Sequence, residues 1–337
     1  MRVLILGAAD VARLLPPEDA FAAMEQAFRA LAGGRAAVPP RGALVPPGLR
    51  GALAWMPAWM DAGPRGAILG IKAITVFGGA NRGSPYPSHQ GAVLLFDGEH
   101  GQPLAMIDGG AITERRTAAT SALATRLLAR RDAGTLCLLG CGAQAAAHLA
   151  ALRAERPLAE VRVWSRVPEH ARAFAEGQAA LHRLPVRAVA SARAAVQDAD
   201  LVCTLTAART PVLEGAWLAP GTHVNAVGAS VPPYRELDAT AVRRARVFVE
   251  CRAAALAEAE DLRQPLAEGV IGPEHVAGEL GDLLEQRVPG RRADGEITVF
   301  KSVGLAVEDV AAAGGVYARA LRERVGAWVD FGAERPG

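Results

Sequence analysis

The stretch that spans residues 135–150 constrains the fold of this chain most strongly. An apolar run typical of a β-strand ends at Gly140, and an alanine-rich helical pattern begins after Gly142. With Ala145 these glycines form a G-x-G-x-x-A motif between strand and helix, the context in which the motif binds a dinucleotide. Gly140 permits a tight turn, Gly142 lets a pyrophosphate approach the backbone, and the small Ala145 lets the helix pack closely. The alternative is a strand-to-helix turn that binds nothing.

Strand and helix patterns alternate after this motif. Apolar segments predict further strands at residues 161–164, 187–190, 201–205, 224–227, 246–249 and 297–300. Helical patterns occupy residues 168–183, 192–198, 238–244 and 304–318, and we expect residues 319–331 to prolong the last of these helices. Alternation of this kind is typical of a doubly wound parallel sheet in an α/β protein.

The first third of the chain has a different pattern. Residues 67–77, 88–96 and 103–108 predict short strands, and the turns between them contain glycine. This spacing predicts a mostly antiparallel sheet. The length of 337 residues is in keeping with about two domains, and the 51% of hydrophobic residues allows a large core.

Composition and charge argue against several classes of partner. The formal net charge is +2, so nothing points to nucleic acid or to an anionic membrane, and no apolar run reaches the ~18 residues of a membrane span. No cysteine lies in a C-x-x-C pair; the four are Cys137, Cys141, Cys203 and Cys251. We therefore expect free thiols, no metal site and a cytoplasmic location.

A lysine stands out in the first predicted sheet. Lys72 lies in an apolar segment, and two-residue alternation places it on the face of Gly70 and Ile74. A lysine in so apolar a strand needs either a position at the edge of the sheet or an anion.

A pair of arginines stands out at the start of a predicted helix over residues 111–130. We expect Thr113 to be the N-cap, which places Arg115 and Arg116 in the first turn. The helix dipole disfavours cations there. Either both arginines are solvated, or at least one of them meets an anion.

The residues after the second strand of the α/β pattern bear on the choice of cofactor. An NAD site usually has an acidic residue there, which binds the ribose 2′-hydroxyl. Here Ser165 and Arg166 occupy that place, and no carboxylate follows until Glu169. A hydroxyl and a guanidinium suit a 2′-phosphate, so the sequence predicts NADPH as cofactor rather than NADH. The alternative is a solvated arginine.

A series of ordered motifs resembles the ornithine cyclodeaminase/mu-crystallin family over nearly the whole chain. The matching stretches are Met56-Pro57-Ala58, Gly70-Ile71-Lys72, Pro87-Ser88-His89-Gln90, Arg116-Thr117-Ala118-Ala119, Gly140-Cys141-Gly142-Ala143-Gln144-Ala145, Asn225-Ala226-Val227-Gly228-Ala229-Ser230, Arg235-Glu236-Leu237-Asp238 and Val299-Phe300-Lys301-Ser302-Val303-Gly304. So many matches in one order are far more specific than the dinucleotide motif alone.

The resemblance implies an NAD(P)-binding Rossmann domain inserted into an α+β dimerisation and substrate domain. On this basis we expect residues 1–115 and 317–337 to form the substrate and dimerisation domain, and residues 116–316 to form the Rossmann domain. It also implies a homodimer. In the family three cations hold a substrate carboxylate, and they match Arg41, Lys72 and Arg116 here.

The resemblance also implies the chemistry. Ornithine cyclodeaminases have an aspartate where this chain has Ser230, and the serine is similar to the mu-crystallin branch, which reduces cyclic ketimines. We therefore expect NADPH-dependent reduction of a cyclic ketimine 2-carboxylate, such as piperideine-2-carboxylate or pyrroline-2-carboxylate, to a cyclic imino acid. The alternatives are ornithine cyclodeamination or another amino-acid dehydrogenation, and NADPH-dependent binding of a small carboxylate without catalysis.

The expected site residues fall into three groups. Lys72, Arg116 and Ser230 are the expected catalytic residues. With Lys72 and Arg116, the expected substrate contacts are Arg41, His89, Gln90 and Phe77. The expected cofactor-binding residues are Gly140, Gly142, Ala143, Gln144, Ser165, Arg166, Thr204, Thr206, Val227, Ser302, Val303 and Gly304.

Overall fold

The chain divides into two units. The computed structural model describes residues 1–63, 66–77, 81 and 83–332. Contacts group Met1–Arg116 with Leu305–Gly337 as unit 1, and Thr117–Gly304 forms unit 2. The second boundary therefore lies after residue 304, where the sequence led us to expect it after residue 316. The reason is that the helix that begins at Ala306 packs on the sheet of unit 1.

The strands and helices of the described residues are numbered in chain order. The strands are β1 (Arg2–Leu6), β2 (Ala36–Ala37), β3 (Gly42–Leu44), β4 (Ala52–Asp61), β5 (Ala67–Val76), β6 (His89–Asp97), β7 (Pro103–Asp108), β8 (Thr135–Leu139), β9 (Glu160–Trp164), β10 (Val186–Ala188), β11 (Leu201–Thr204), β12 (His223–Ala226), β13 (Arg246–Val249), β14 (Val276–Glu279), β15 (Thr298–Lys301) and β16 (Ala327–Asp330). The α-helices are α1 (Ala8–Leu14), α2 (Pro17–Ala32), α3 (Gly109–Leu128), α4 (Ala143–Glu155), α5 (Pro168–His182), α6 (Ala192–Val196), α7 (Ala239–Arg244), α8 (Arg252–Glu258), α9 (Glu260–Ala267), α10 (Leu280–Leu284) and α11 (Ala306–Glu323). Within the described ranges, no helix combines the length and the apolar character needed to cross a membrane.

Unit 1 is built on a mostly antiparallel sheet, as the sequence predicted. The strand order is β16-β1-β7-β6-β5-β4-β2, and β3 also pairs with β4. Strand β1 runs parallel to β7, and the other neighbouring pairs are antiparallel. Helix α11 packs on β4, β5 and β6. It covers one face of the sheet, and alternate residues are buried in the middle of the two strands: Met56, Ala58 and Met60 of β4, and Gly70, Lys72 and Ile74 of β5.

Strand β4 was not predicted, because a proline lies in its middle. Pro57 cannot donate a backbone hydrogen bond and pairs with Ile71 of β5. On the other side of β4, the pairing with β2 stops at Trp59 and the pairing with β3 starts at Trp55. The proline falls in the gap between these two short strands, which is a position where a sheet tolerates it.

Unit 2 contains the doubly wound parallel sheet, which confirms that prediction. Its strand order is β10-β9-β8-β11-β12-β15-β13-β14, and every neighbouring pair is parallel. Counted from β8, the first five strands follow the 3-2-1-4-5 order of a Rossmann fold. Strands β11, β12 and β15 are buried along their whole length, as expected for a sheet that helices cover on both faces.

The end of the chain differs from the prediction. Residues 319–331 do not prolong the last helix: α11 ends at Glu323, and the left-handed backbone of Arg324 terminates it. Gly326 also has a positive φ, and β16 then pairs antiparallel with β1. The chain therefore returns to unit 1 as an edge strand.

Candidate active site

Lys72 lies in the interior of the unit 1 sheet, on the face that α11 covers. It shares that buried face with Gly70 and Ile74, as the alternation of β5 predicted. A Cβ on Gly70 would come within 2.6 Å of Val310, so the helix approaches the sheet closely at this point. The lysine side chain is only 2% exposed. An edge position therefore does not explain this lysine, and the anion does.

The anion is a carboxylate of α11 that Lys72 shares with Arg116. Lys72 Nζ lies 2.8 Å from Asp309 Oδ2, and Arg116 Nε donates to Asp309 Oδ1 at 2.9 Å. Arg116 Nη1 also donates to Glu308 Oε2 at 2.9 Å, and Lys72 Nζ donates to Thr113 Oγ1 at 3.3 Å. Both carboxylates are fully buried. The structure thus brings together two of the three predicted cations, and it pairs them with two anions.

The helix that carries Arg116 begins earlier than predicted. Helix α3 starts at Gly109, so Thr113 is not its N-cap, and Arg115 and Arg116 do not lie in its first turn. The predicted helix start was wrong, and the dipole at the N-terminus of α3 does not account for the partners of either arginine. Arg116 nevertheless has anionic partners, while Arg115 donates to the backbone oxygen of Leu15 at 3.1 Å.

Burial and neighbouring charges shift the titration of this cluster. Burial lowers the pKa of Lys72 from 10.5 to about 8, and the charge of Asp309 opposes part of that shift. For Asp309, burial favours the neutral acid, but Arg116 and Lys72 together hold the pKa of its carboxyl below the usual value. At neutral pH Lys72 and Asp309 therefore face each other as cation and anion.

Of the remaining predicted substrate contacts, His89 and Gln90 lie on β6 of the same sheet, and Arg41 and Phe77 lie next to its strands in sequence. Arg41 immediately precedes β3. Gly42, the first residue of β3, pairs with Trp55 of β4, and the next residue of β4, Met56, pairs with Lys72 of β5. His89 begins β6, and the pKa of its imidazole is lowered by burial and by the charge of Lys72. Gln90 is exposed beside it, and its backbone oxygen accepts from Thr75. The ring of Phe77 packs where a Cβ on Gly51 would otherwise extend.

Unit 2 contains the dinucleotide motif in the predicted geometry. Gly140 has a φ of 121°, and a Cβ there would meet Leu205 O at 2.6 Å, so the turn requires glycine. Gly142 is the N-cap of α4, and apart from its two chain neighbours no described residue has an atom within 4 Å of the position of a Cβ. Ala143 opens the helix, and the buried side-chain oxygen of Gln144 has no hydrogen-bond partner among the described residues. An open glycine at a helix N-terminus and an unsatisfied amide oxygen fit a bound pyrophosphate and its ribose.

The residues expected to select the cofactor follow β9. Ser165 Oγ accepts from the backbone N–H of Val167 at 3.3 Å, and the side chain of Arg166 is exposed. No acidic residue follows them in the sequence until Glu169, which forms an ion pair with Arg172 at 2.7 Å. The place that an acidic residue takes in an NAD site therefore holds a hydroxyl and a guanidinium.

A buried glutamate that was not predicted holds the predicted residues at the ends of β11 and β12. Glu236 accepts from Thr204 Oγ1 at 2.8 Å and from Thr206 Oγ1 at 2.7 Å, so both predicted hydroxyls donate to it. Val227 is buried and donates its backbone N–H to Thr204 O at 3.1 Å. Ser230 follows this turn and is half-buried.

A second unpredicted glutamate holds the predicted turn after β15. Glu250 accepts from Ser302 Oγ at 2.5 Å, from the Val303 N–H at 2.9 Å and from the Gly304 N–H at 3.1 Å. These residues were expected to bind the cofactor directly, and the structure shows what fixes them. The motif stretches Arg235-Glu236-Leu237-Asp238 and Val299 to Gly304 were the available signals, but spacing does not reveal which side chains meet.

The four cysteines are free thiols. Within the described ranges, no group of three or more His, Cys, Asp or Glu side chains is arranged to hold a metal ion.

Comparison with known proteins agrees with this architecture. The model of the ornithine cyclodeaminase/mu-crystallin family matches residues 1–324. The ketimine reductase mu-crystallin of Mus musculus is 41% identical over 268 residues, which cover 80% of each chain. The structure of Thermococcus litoralis Delta(1)-pyrroline-2-carboxylate reductase in complex with NADH and L-proline matches with a TM-score of 0.92 and 34% identity, over 96% of this chain and 99% of the other. An archaeal alanine dehydrogenase dimer with bound NAD matches with a TM-score of 0.91 and 33% identity, over 98% of this chain and 100% of the other.

The shared carboxylate of Asp309 makes a prediction about stability. Asp309→Asn keeps the size of the side chain but leaves two buried cations short of one counter-charge, which costs about 3 kcal/mol of unfolding free energy. Urea denaturation measures this loss. Asp330→Asn is the control, because Asp330 is exposed and lies 3.7 Å from the exposed Arg2. Equal stability of the two variants would contradict a buried ion cluster.

Proposed function

Because the chain belongs to the ornithine cyclodeaminase/mu-crystallin family, we propose that it reduces cyclic ketimine 2-carboxylates to cyclic imino acids with NADPH. The substrates would be of the piperideine-2-carboxylate or pyrroline-2-carboxylate type. The buried ammonium of Lys72, which Asp309 and Thr113 orient, is the observation that carries the proposal, because an oriented charged donor suits a small carboxylate. The ketimine reductase and pyrroline-2-carboxylate reductase among the similar proteins support the same reaction.

In this proposal Lys72 and Arg41 bind the substrate carboxylate. An ammonium has three N–H donors, and Asp309 and Thr113 orient two of those of Lys72. The third would donate to the substrate. Glu308 and Asp309 balance the charges of Lys72 and Arg116, and Arg41 would contribute a further donor to the substrate carboxylate. Arg116 would contribute through its fixed guanidinium plane, which the two carboxylates hold in place.

The residues of unit 2 would hold the cofactor. The backbone at Gly142 and Ala143 would bind the pyrophosphate at the N-terminus of α4, and Gln144 would reach the neighbouring ribose. When bound, the reduced nicotinamide supplies the hydride for the imine carbon. Ser230 is a poor base at neutral pH, but its hydroxyl can hydrogen-bond a ring nitrogen that is already protonated. A site without an aspartate at this position suits imine reduction better than amino-acid deamination.

The proposed reaction predicts a pH profile. At neutral pH the purified protein should oxidise NADPH in the presence of piperideine-2-carboxylate or pyrroline-2-carboxylate. Since the pKa of Lys72 is about 8, kcat/KM should fall as the pH rises through that value, because the neutral amine no longer attracts the carboxylate. Stopped-flow or steady-state absorbance at each pH measures the profile. A flat profile up to pH 10 would contradict the role of Lys72.

The neighbouring arginines provide a matched pair of variants for this assay. Arg116→Met should lower kcat/KM about 100-fold, whereas Arg115→Met should leave it within about threefold, because Arg115 donates to the backbone oxygen of Leu15 and not to the carboxylates of the cluster. Ammonia release from ornithine would instead support cyclodeamination. Tight binding of the imine carboxylate without turnover would support a non-catalytic binder.

We also propose that NADPH is preferred over NADH. Family membership and the bound cofactors of the similar structures indicate a nicotinamide dinucleotide, and the hydroxyl and guanidinium after β9 favour the 2′-phosphate. Arg166→Ala should weaken NADPH binding about tenfold and leave NADH binding unchanged, because only NADPH has the phosphate. Fluorescence titration measures both. Arg172→Ala, at an exposed arginine of α5, is the control, and tighter binding of NADH by the wild type would overturn the preference.

We propose that the chain forms a homodimer through the sheet face of unit 1 that α11 leaves uncovered. Leu53, Trp55, Leu69 and Met106 are each at least 40% exposed on β4, β5 and β7. The alanine dehydrogenase of similar structure is a dimer. Leu69→Glu should convert a dimer into a monomer in analytical ultracentrifugation, whereas Leu181→Glu, at a 70% exposed leucine of α5, should not. A monomeric wild type would rule the dimer out.

A cytoplasmic location is part of the same proposal. Cys137 and Cys203 lie on adjacent buried strands as free thiols. Burial raises the pKa of the Cys203 thiol to about 12, so it stays protonated and unreactive. Free thiols persist in a reducing compartment, and NADPH is available there.

A further inference from the structure

The chain contains two lysines, Lys72 and Lys301, among its 37 lysine and arginine residues. Both are almost completely buried, and each forms an ion pair with a buried aspartate. The other 35 cations of the chain are arginines. A lysine ammonium is a compact point charge, and a planar guanidinium does not replace it at the same buried position without a change of geometry. Lys72 belongs to the proposed substrate site, and Lys301 has no role in it.

Lys301 begins a chain of buried charges in unit 2. Its Nζ lies 2.9 Å from Asp261 Oδ2, and neither side chain is exposed. Asp261 Oδ1 accepts the backbone N–H groups of Glu236 and Leu237, each at 2.8 Å. The ammonium therefore fixes the aspartate, and the aspartate fixes the backbone that carries Glu236.

Glu236 in turn joins two loops. Its Oε1 accepts from the Thr206 N–H at 2.6 Å as well as from the Thr206 hydroxyl, and its Oε2 accepts from the Thr204 hydroxyl and from the Ala229 N–H at 3.2 Å. Thr206 follows β11, and Ala229 follows β12. A Cβ on Gly228 would come within 2.6 Å of Glu236 Oε1, so the two loops meet closely around the carboxylate.

These loops follow the carboxyl ends of adjacent parallel strands. That edge of a doubly wound sheet is where ligands bind. Ser230 lies next to Ala229, one residue beyond the last donor to Glu236. The network therefore ends at the residue for which we propose contact with the imine nitrogen, although no side chain of the network itself is exposed.

We propose that Lys301, Asp261 and Glu236 are positioning residues, which fix the loops of Thr206 and Ser230 for the reacting ends of cofactor and substrate. This inference rests on the proposed function. Two carboxylates and one ammonium give the network a net negative charge if all three are ionised. Burial and the neighbouring Asp261 raise the pKa of Glu236, and Lys301 opposes this. Lys301 thus helps to keep Glu236 an acceptor for all four of its donors.

Two isosteric variants test the proposal. Glu236→Gln leaves one oxygen for four donors, and Lys301→Met leaves Asp261 without its cation. Each should lower kcat at least about tenfold while the Kd for NADPH changes less than about threefold, because the pyrophosphate site lies elsewhere in unit 2. The matched control is Arg156→Met, at a buried arginine of unit 2 whose guanidinium donates to backbone oxygens of Thr125 and Arg130. It should lower the melting temperature and leave kcat unchanged.

The outcomes separate this proposal from the proposed function. The positioning role is wrong if the wild type reduces an imine and both network variants have the same kcat as the wild type. It is also wrong if kcat falls only in parallel with the affinity for NADPH, because a general loss of structure would have the same effect. If the wild type reduces neither imine, the proposed function fails, and hydrogen exchange then tests whether the network fixes the two loops. NADPH should slow exchange at residues 204–206 and 228–231 about fivefold in the wild type and not in Glu236→Gln. Equal protection in both proteins would overturn the positioning role.

Discussion

The structure of unit 1 depends on one carboxylate shared between two cations. Asp309 lies on α11 near the end of the chain, Lys72 lies on β5, and Arg116 lies on α3. No two of them are close in sequence. Removing these charges from water is costly, and the cost is offset only when each charge meets an opposite one at short distance. The fold therefore has to bring the last long helix back against the first sheet before either cation can be buried.

Close packing makes this pairing possible. Gly70 precedes Lys72 on the same face of β5 and lets Val310 approach, so the neighbouring Asp309 reaches the lysine. The result is a cluster in which two carboxylates balance two cations, rather than a group of three cations without counter-charges. The two carboxylates orient Lys72 and Arg116 and offset their charges.

Local patterns in the sequence predicted the elements whose geometry is local. The strand–glycine–helix stretch at Gly140 and the alternation around Lys72 both have the predicted form, since each depends on neighbouring residues. The start of α3 was misplaced because Thr113 resembles an N-cap, whereas its hydroxyl accepts from Lys72. Strand β16 was missed because its pairing with β1 joins the two ends of the chain.

The partners of the site residues were beyond the reach of the same patterns. Arg116 and Asp309 are 193 residues apart, and no periodicity links them. Glu236 lies in a family motif, but nothing in the sequence indicates that its carboxylate would join loops after β11 and β12. Charged groups buried at long range are a property of the folded chain, so the sequence indicates which residues are unusual and the structure indicates what they contact.

The scarcity of lysine has a practical consequence for following how this protein opens. Lys72 lies in unit 1 and Lys301 in unit 2, and both are shielded from solvent. A reagent that acylates amines reaches either side chain only when the surrounding structure loosens. The extent of acylation at each lysine therefore reports the local opening of one unit independently of the other, and no engineered label is needed.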